Sequence, residues 1–177
     1  MALKHLTSSV FVFRRFADGW RTGLIHHPRL HKMMIPGGHV EAEETSAEAA
    51  LREVAEETGL AVTLVSPPAA PVPAGYRGRR VAQPWWIAEY QVKPDNHLDV
   101  AHVHVDHLYV ALADGTAPSP VPGPAAHPFG WYAATELADL DMFDDARVLA
   151  LSLLGGLANG VDTAGAAEAL VAGLSQA

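Results

Sequence analysis

Seven glutamates lie between positions 41 and 57: Glu41, Glu43, Glu44, Glu48, Glu53, Glu56 and Glu57. Arg52 alone offsets them locally. Glu53, Glu56 and Glu57 stand at i, i+3 and i+4, which on a helix gathers three carboxylates on one flank. Like charges this close oppose helix formation and raise one another's pKa. Oxygen-rich clusters of this kind suit hard divalent cations; Mg2+ takes a few carboxylates, waters and, commonly, substrate phosphates. A solvated acidic face, with Glu48 and Arg52 as an i, i+4 pair, is the plainer reading of the same residues.

Such side chains need a helix and a frame behind it. Ala47, Ala50, Leu51, Val54 and Thr58 recur on one face, so the spacing predicts a helix over 46–58. Thr45 or Ser46 caps its start, Glu48 sits in its first turn, and Gly59 stands where a C-cap glycine belongs. Upstream, the apolar run 10–13 predicts a strand covered on both faces. Asp18-Gly19 reads as a hairpin turn into a second strand at 20–25. A third apolar run at 33–35 is stopped by Pro36-Gly37-Gly38. Downstream, 61–65, 81–92, 103–112 and 129–132 read as β-like. The four prolines within 67–74 and the five within 115–128 mark loops. Helices are expected at 144–157 and in the tail, where Ala167, Leu170, Val171 and Leu174 fall at helical spacing. No repeat is present. Strands, one helix between them and helices at the end imply mixed α/β layers in one domain.

Other features carry weaker signals. Tyr76, Arg77, Arg79 and Arg80 put basic residues beside an aromatic, suited to clamping phosphates or stacking a base, or simply a solvated loop. Trp85 and Trp86 point to opposite faces of a strand, one for the core and one free to stack a base. His102, His104 and Asp106 alternate on one strand face, as a metal or phosphate site or as a polar solvent-facing edge. Glu89, Asp106 and Asp114 are candidates for a further carboxylate. His5, His26, His27, His31 and His39 read as surface or packing residues. Phe143 reads as packing at a helix start or as a pocket-mouth residue.

Composition sets the outer bounds. A chain of 177 residues, 49% hydrophobic and 18% charged, holds one ordinary domain with enough apolar side chain for a core. Its net charge of −8 argues against binding nucleic-acid duplexes through their phosphates. With no cysteine, disulfides, thiolate nucleophiles and iron–sulfur clusters are excluded. No signal-peptide pattern or membrane span is seen, so a cytoplasmic protein is expected.

The spacing of the glutamates carries the strongest signal. Gly38, five residues, Glu44, seven residues, Arg52-Glu53-Val54, one residue, Glu56-Glu57, one residue and Gly59-Leu60 match the Nudix box at every defined position. Pro36-Gly37-Gly38-His39-Val40-Glu41 is similar to its usual lead-in. The chain thus resembles the Nudix (MutT-like) hydrolases over residues 5–155. The resemblance implies an α/β (α+β) fold, the Nudix α/β/α sandwich with a mixed central sheet. It divides the chain into a Nudix domain at 1–158 and a C-terminal helical tail at 159–177.

It also implies roles. Glu56 and Glu57 are the usual metal ligands, Glu53 is a further ligand or the base for the attacking water, and the Gly37 carbonyl often completes the coordination. Arg52 orients the glutamates, Glu44 supports the loop and Gly59 permits the turn out of the helix. The implied cofactor is Mg2+, or Mn2+. The implied partner is a nucleotide-type small molecule, with a homodimer among the assemblies common in the family. The implied reaction is hydrolysis of a nucleoside diphosphate linked to another group X. Tyr76, Arg77, Arg79 and Trp85 are the expected substrate contacts. A non-catalytic nucleotide-sensing Nudix domain is the alternative, although such modules typically lose box glutamates. Isopentenyl-diphosphate isomerases share the fold but rely on an active-site cysteine, which this chain lacks.

Overall fold

The computed structural model describes residues 2–95, 97–114, 127–158 and 166–174. Eight strands form one mixed sheet: β1 (Lys4–Phe16), β2 (Gly19–His27), β3 (Lys32–Met34), β4 (Gly37–His39), β5 (Val62–Val65), β6 (Trp86–Val92), β7 (His102–Ala113) and β8 (Phe129–Tyr132). Three α-helices accompany it: α1 (Ser46–Thr58), α2 (Asp144–Ala158) and α3 (Ala166–Leu174). Among the described residues no helix is long and apolar enough to cross a membrane.

The long strands β1 and β7 run parallel through the centre, Lys4 opposite Val103 to Phe13 opposite Leu112. Each changes antiparallel partner along its other edge. β1 pairs with β4 at Thr7–Ser9 and with β2 at Val12–Phe16. β7 pairs with β6 from His102 to Leu108 and with β5 from Val110 to Ala113. The first half of β1 thus lies between β4 and the start of β7, and the site is built on these strands.

Alternation along β1 makes the three layers. Val10 and Val12 face α1, packing with Ala47, Ala50, Val54, Leu60 and Tyr109. Phe11 and Phe13 face α2 and α3, packing with Leu153, Leu157, Ala166 and Leu170. The expected α/β/α sandwich with a mixed sheet is the fold observed.

The helix of the glutamates starts and stops on the expected signals. Thr45 is its N-cap, accepting from the Glu48 N–H at 3.3 Å, and the Glu48 carboxylate accepts from the Thr45 N–H at 2.9 Å. This reciprocal pair satisfies two backbone donors. Gly59 ends the helix at φ 70°, a left-handed conformation in which any side chain is strained. The tail helix docks through buried Ala166 and Leu170.

Three elements differ from expectation. β1 begins at Lys4 because its polar residues Thr7 and Ser8 are buried and bonded, to Asp106 and to the Ser46 carbonyl. The strand expected from 81 begins at Trp86; Pro84 has no N–H to give a ladder. Gly37–Gly38, read as a stop, belongs to β4. A Cβ on Gly37 would lie 2.4 Å from the Ser8 carbonyl oxygen, so only glycine lets this strand reach β1. Of the proline-rich 115–128 connector, residues 115–126 lie outside the described ones, as do 159–165 and 175–177 of the tail.

Candidate active site

Arg52 organises the acidic flank of α1. Its Nε donates to Glu44 Oε2 at 3.1 Å and its Nη2 to Glu44 Oε1 at 2.7 Å, a two-pronged grip. Nη1 donates to Glu53 Oε1 at 2.8 Å and Glu56 Oε2 at 3.1 Å. Nη2 also donates to the His39 carbonyl at 3.0 Å. A guanidinium has five N–H groups, and these contacts use them all. Arg52 therefore fixes three carboxylates and β4 relative to one another. Its hydrogen bonds hold the Glu44 carboxyl below the usual carboxylate range, against a smaller opposing effect of burial.

The three helix carboxylates sit at different depths. The side chains of Glu57 and Glu53 are 9% and 14% exposed, that of Glu56 49%. Glu57 accepts from the Gly37 N–H at 2.9 Å, and its other oxygen lies 3.3 Å from His127 Nε2. Burial pushes the Glu57 carboxyl up to about 8, the Gly37 N–H opposing and the Glu53 and Glu56 charges adding. Burial likewise raises Glu53, against the pull of Arg52. Gly38 makes room for this carboxylate: a Cβ there would lie 2.3 Å from Glu53 Oε1.

A cleft of about 540 Å3 opens over this flank. Arg52, Glu53, Gly37 and Gly38 form one wall; His39, Asp95, His97 and His104 form another; His27, Arg29 and His127 are also among the lining residues. Burial, with His97 and His104 close by, pushes the His39 ring down to about 4. Burial opposes ionisation of Asp95, yet backbone N–H groups of His97 and Leu98 hold its carboxyl down at about 2.

The structure thus brings Arg52, Glu53, Glu56, Glu57 and Gly37 together. Tyr76, Arg77 and Arg79 lie in the β5–β6 loop and do not line the cleft. Arg79 pairs instead with Glu48, and Tyr76 is exposed. Trp85 donates its indole N–H to the Val65 carbonyl at 2.6 Å and packs on Trp86 and the core.

The solvent-facing reading of His102, His104 and Asp106 is overturned, because β7 is a central strand: His102 and Asp106 are buried and His104 is half-buried. Asp106 accepts from Thr7 Oγ1 at 3.0 Å and lines a smaller apolar cleft of about 270 Å3 with Phe143. Among the candidate further carboxylates, Glu89 pairs with Lys4 and Asp114 follows the last residue of β7. A carboxylate from beyond the box that does line the main cleft, beside Glu41 and Glu53, is Asp95, which no motif singled out. His39, read as packing, and His127 also line it. His39 falls in the lead-in to the box, and the sequence signal for His127 is the abundance of histidine, ten in all.

A family model described as NUDIX domain matches residues 5–151. A Clostridium perfringens hydrolase of the NUDIX family superposes with a TM-score of 0.65 at 26% identity, over 83% of this chain and 93% of that one. The Escherichia coli dihydroneopterin triphosphate pyrophosphohydrolase superposes with a TM-score of 0.58 at 15% identity, over 86% and 97%. A Caenorhabditis elegans Ap4A hydrolase, in a binary complex, gives 0.55 at 15% identity, over 82% and 92%. No curated protein matches the chain in sequence.

Proposed function

The chain belongs to the Nudix hydrolase family, and from that premise we propose that it hydrolyses a nucleoside diphosphate linked to another group X, giving two phosphorylated products. The observation that carries this reading is Arg52, which lines the cleft with Glu53 and whose five N–H groups tie Glu44, Glu53 and Glu56 to one another and to the His39 carbonyl. Glu53, Glu56, Glu57 and the Gly37 carbonyl would hold Mg2+, with Mn2+ as the substitute. The donor set suits such an ion: it is all oxygen, and a cation would offset the burial that disfavours the charges of Glu53 and Glu57. When bound, the cation neutralises diphosphate charge and lowers the pKa of a water.

The chain's own groups do the rest. Glu53, on the cleft wall with its carboxyl raised by burial, serves as a ligand or takes the proton of the attacking water. The Gly37 N–H keeps Glu57 aimed. Arg29, His27 and His127 offer N–H donors to phosphate oxygens from the remaining walls. An Ap4A hydrolase and a dihydroneopterin triphosphate pyrophosphohydrolase share this fold, so substrate choice rests with cleft side chains.

The test is product analysis across nucleotide sugars, ADP-ribose, dinucleoside polyphosphates and nucleoside triphosphates with Mg2+ or Mn2+. Turnover of one class, lost in a folded Glu56→Gln variant, is expected; an unchanged rate in that variant would refute the assignment. Gly38→Ala supplies a second check. Its methyl displaces Glu53, so kcat/KM should fall about 10- to 100-fold with the fold retained. Wild-type kinetics in that variant would remove Glu53 from the chemistry.

A further inference from the structure

The wall facing Glu53 holds a second set of ligand atoms. His39 comes from β4, His102 and His104 from β7, and Asp95 from the loop between β6 and β7. One nitrogen or oxygen of each lies within 4.8 Å of all the others. Three of these atoms form a tight triangle. His102 Nε2 and His104 Nε2 are 3.1 Å apart, and they lie 3.5 and 3.6 Å from Asp95 Oδ2. A tetrahedral ion with bonds of about 2.0–2.1 Å to nitrogen and oxygen separates its ligands by about 3.3–3.4 Å. The triangle already has that size.

The outer contacts are those of ligands held for an ion. Asp95 Oδ1 accepts from the N–H groups of His97 and Leu98 at 2.8 and 3.0 Å, which aims Oδ2 at the two rings. His102 Nδ1 lies 2.9 Å from the Val100 carbonyl, which can only accept. Nδ1 therefore carries a proton, and in the neutral ring Nε2 presents a lone pair to the centre of the cluster. Hydrogen bonds from the far ring nitrogen to a backbone carbonyl are how metal-binding histidines are oriented. The His102 side chain is 0% exposed, and His39 Nε2 is buried without a hydrogen-bond partner. A lone pair, an unpartnered ring nitrogen and a carboxylate packed this closely, away from water, suit a shared positive centre.

We propose that His39, Asp95, His102 and His104 form a second metal site that takes an imidazole-preferring divalent cation of the zinc type. Ligand chemistry separates it from the glutamate array: imidazole nitrogen favours zinc-like ions, and an all-oxygen set favours Mg2+. Its role is to clamp the β6–β7 loop and β4 onto β7. The clamp reaches the glutamates through His39, whose carbonyl accepts from Arg52.

The test is metal analysis of the full, untagged chain, stripped with chelator and dialysed against Zn2+ in excess Mg2+. The wild type should retain about one equivalent. A Glu56→Gln/Glu57→Gln variant should retain it as well, whereas His104→Asn and Asp95→Asn should bind at least about tenfold more weakly. Zn2+ should raise the Tm of the wild type and not of His104→Asn. Asp95→Asn removes no ring from the core and guards against misfolding, checked by near-ultraviolet circular dichroism. Equal zinc in wild type and folded Asp95→Asn would overturn the proposal, as would zinc lost only in the glutamate variant. A shared proton is then the occupant.

Discussion

Glu57→Gln is expected to lower kcat by about a thousandfold or more while making the metal-free protein more heat-stable at alkaline pH. The two effects share one cause. Burial raises the Glu57 carboxyl from 4.5 to about 8, so the folded protein disfavours the charge the unfolded chain accepts. A carboxyl raised in this way contributes stability that is full below about pH 4.5 and is lost as the pH climbs through about 8. The loss amounts to at most roughly 5 kcal/mol. Glutamine copies the neutral form and still accepts from the Gly37 N–H, so it escapes that loss. It lacks the charge that a divalent cation needs. Melts of both proteins in chelator from pH 5 to 9 check this, together with steady-state rates in Mg2+. A variant less stable than wild type at pH 9 would mean that the Glu57 charge is already balanced without metal.

Arg52 is the second position of large effect. Arg52→Ala leaves Glu44, Glu53 and Glu56 without their shared donor and leaves the His39 carbonyl unpaired. Removing one partner of a buried ion pair costs about 3–5 kcal/mol, and Arg52 is 24% exposed, which reduces this to about 2–3. Catalysis should fall about 100-fold or more, because misplaced carboxylates cannot share one ion. Arg52→Lys separates charge from geometry. It keeps the charge but has no planar fork, so it should recover part of the stability and little of kcat. Denaturant melts and kinetics on both variants measure the split. Full activity in Arg52→Lys would show that charge alone organises the array.

Much of this site could be read from the chain because it is local. The cap at Thr45, the apolar stripe of α1, the left-handed Gly59 and the box carboxylates all lie within a short span. The cap, the stripe and the turn follow from helical period and turn chemistry, and the role of the carboxylates from the resemblance of their spacing to the Nudix box. The opposite wall is not local. Asp95 approaches His102 and His104 because β6 and β7 pair antiparallel, and His39 joins them because β4 adds to β1. No period in the sequence encodes those meetings. The first half of β1 was hidden for a related reason: the apolar run stops at residue 10, and Thr7 and Ser8 are buried only because Asp106 and the Ser46 carbonyl, far along the chain, bond them. Tyr76, Arg77 and Arg79 show the converse, since a basic aromatic motif says nothing about which cleft it borders.

The most direct measurement is turnover of the preferred nucleotide before chelation, after it, and after Mg2+ is restored, at a pH above about 8 where Glu57 is ionised. Hydrolysis at the diphosphate that stops in chelator and returns with Mg2+ in the wild type, but not in Glu57→Gln, is the predicted result. Equal hydrolysis in chelator, or full rescue of Glu57→Gln by Mg2+, would contradict the assignment of the ion to this glutamate array.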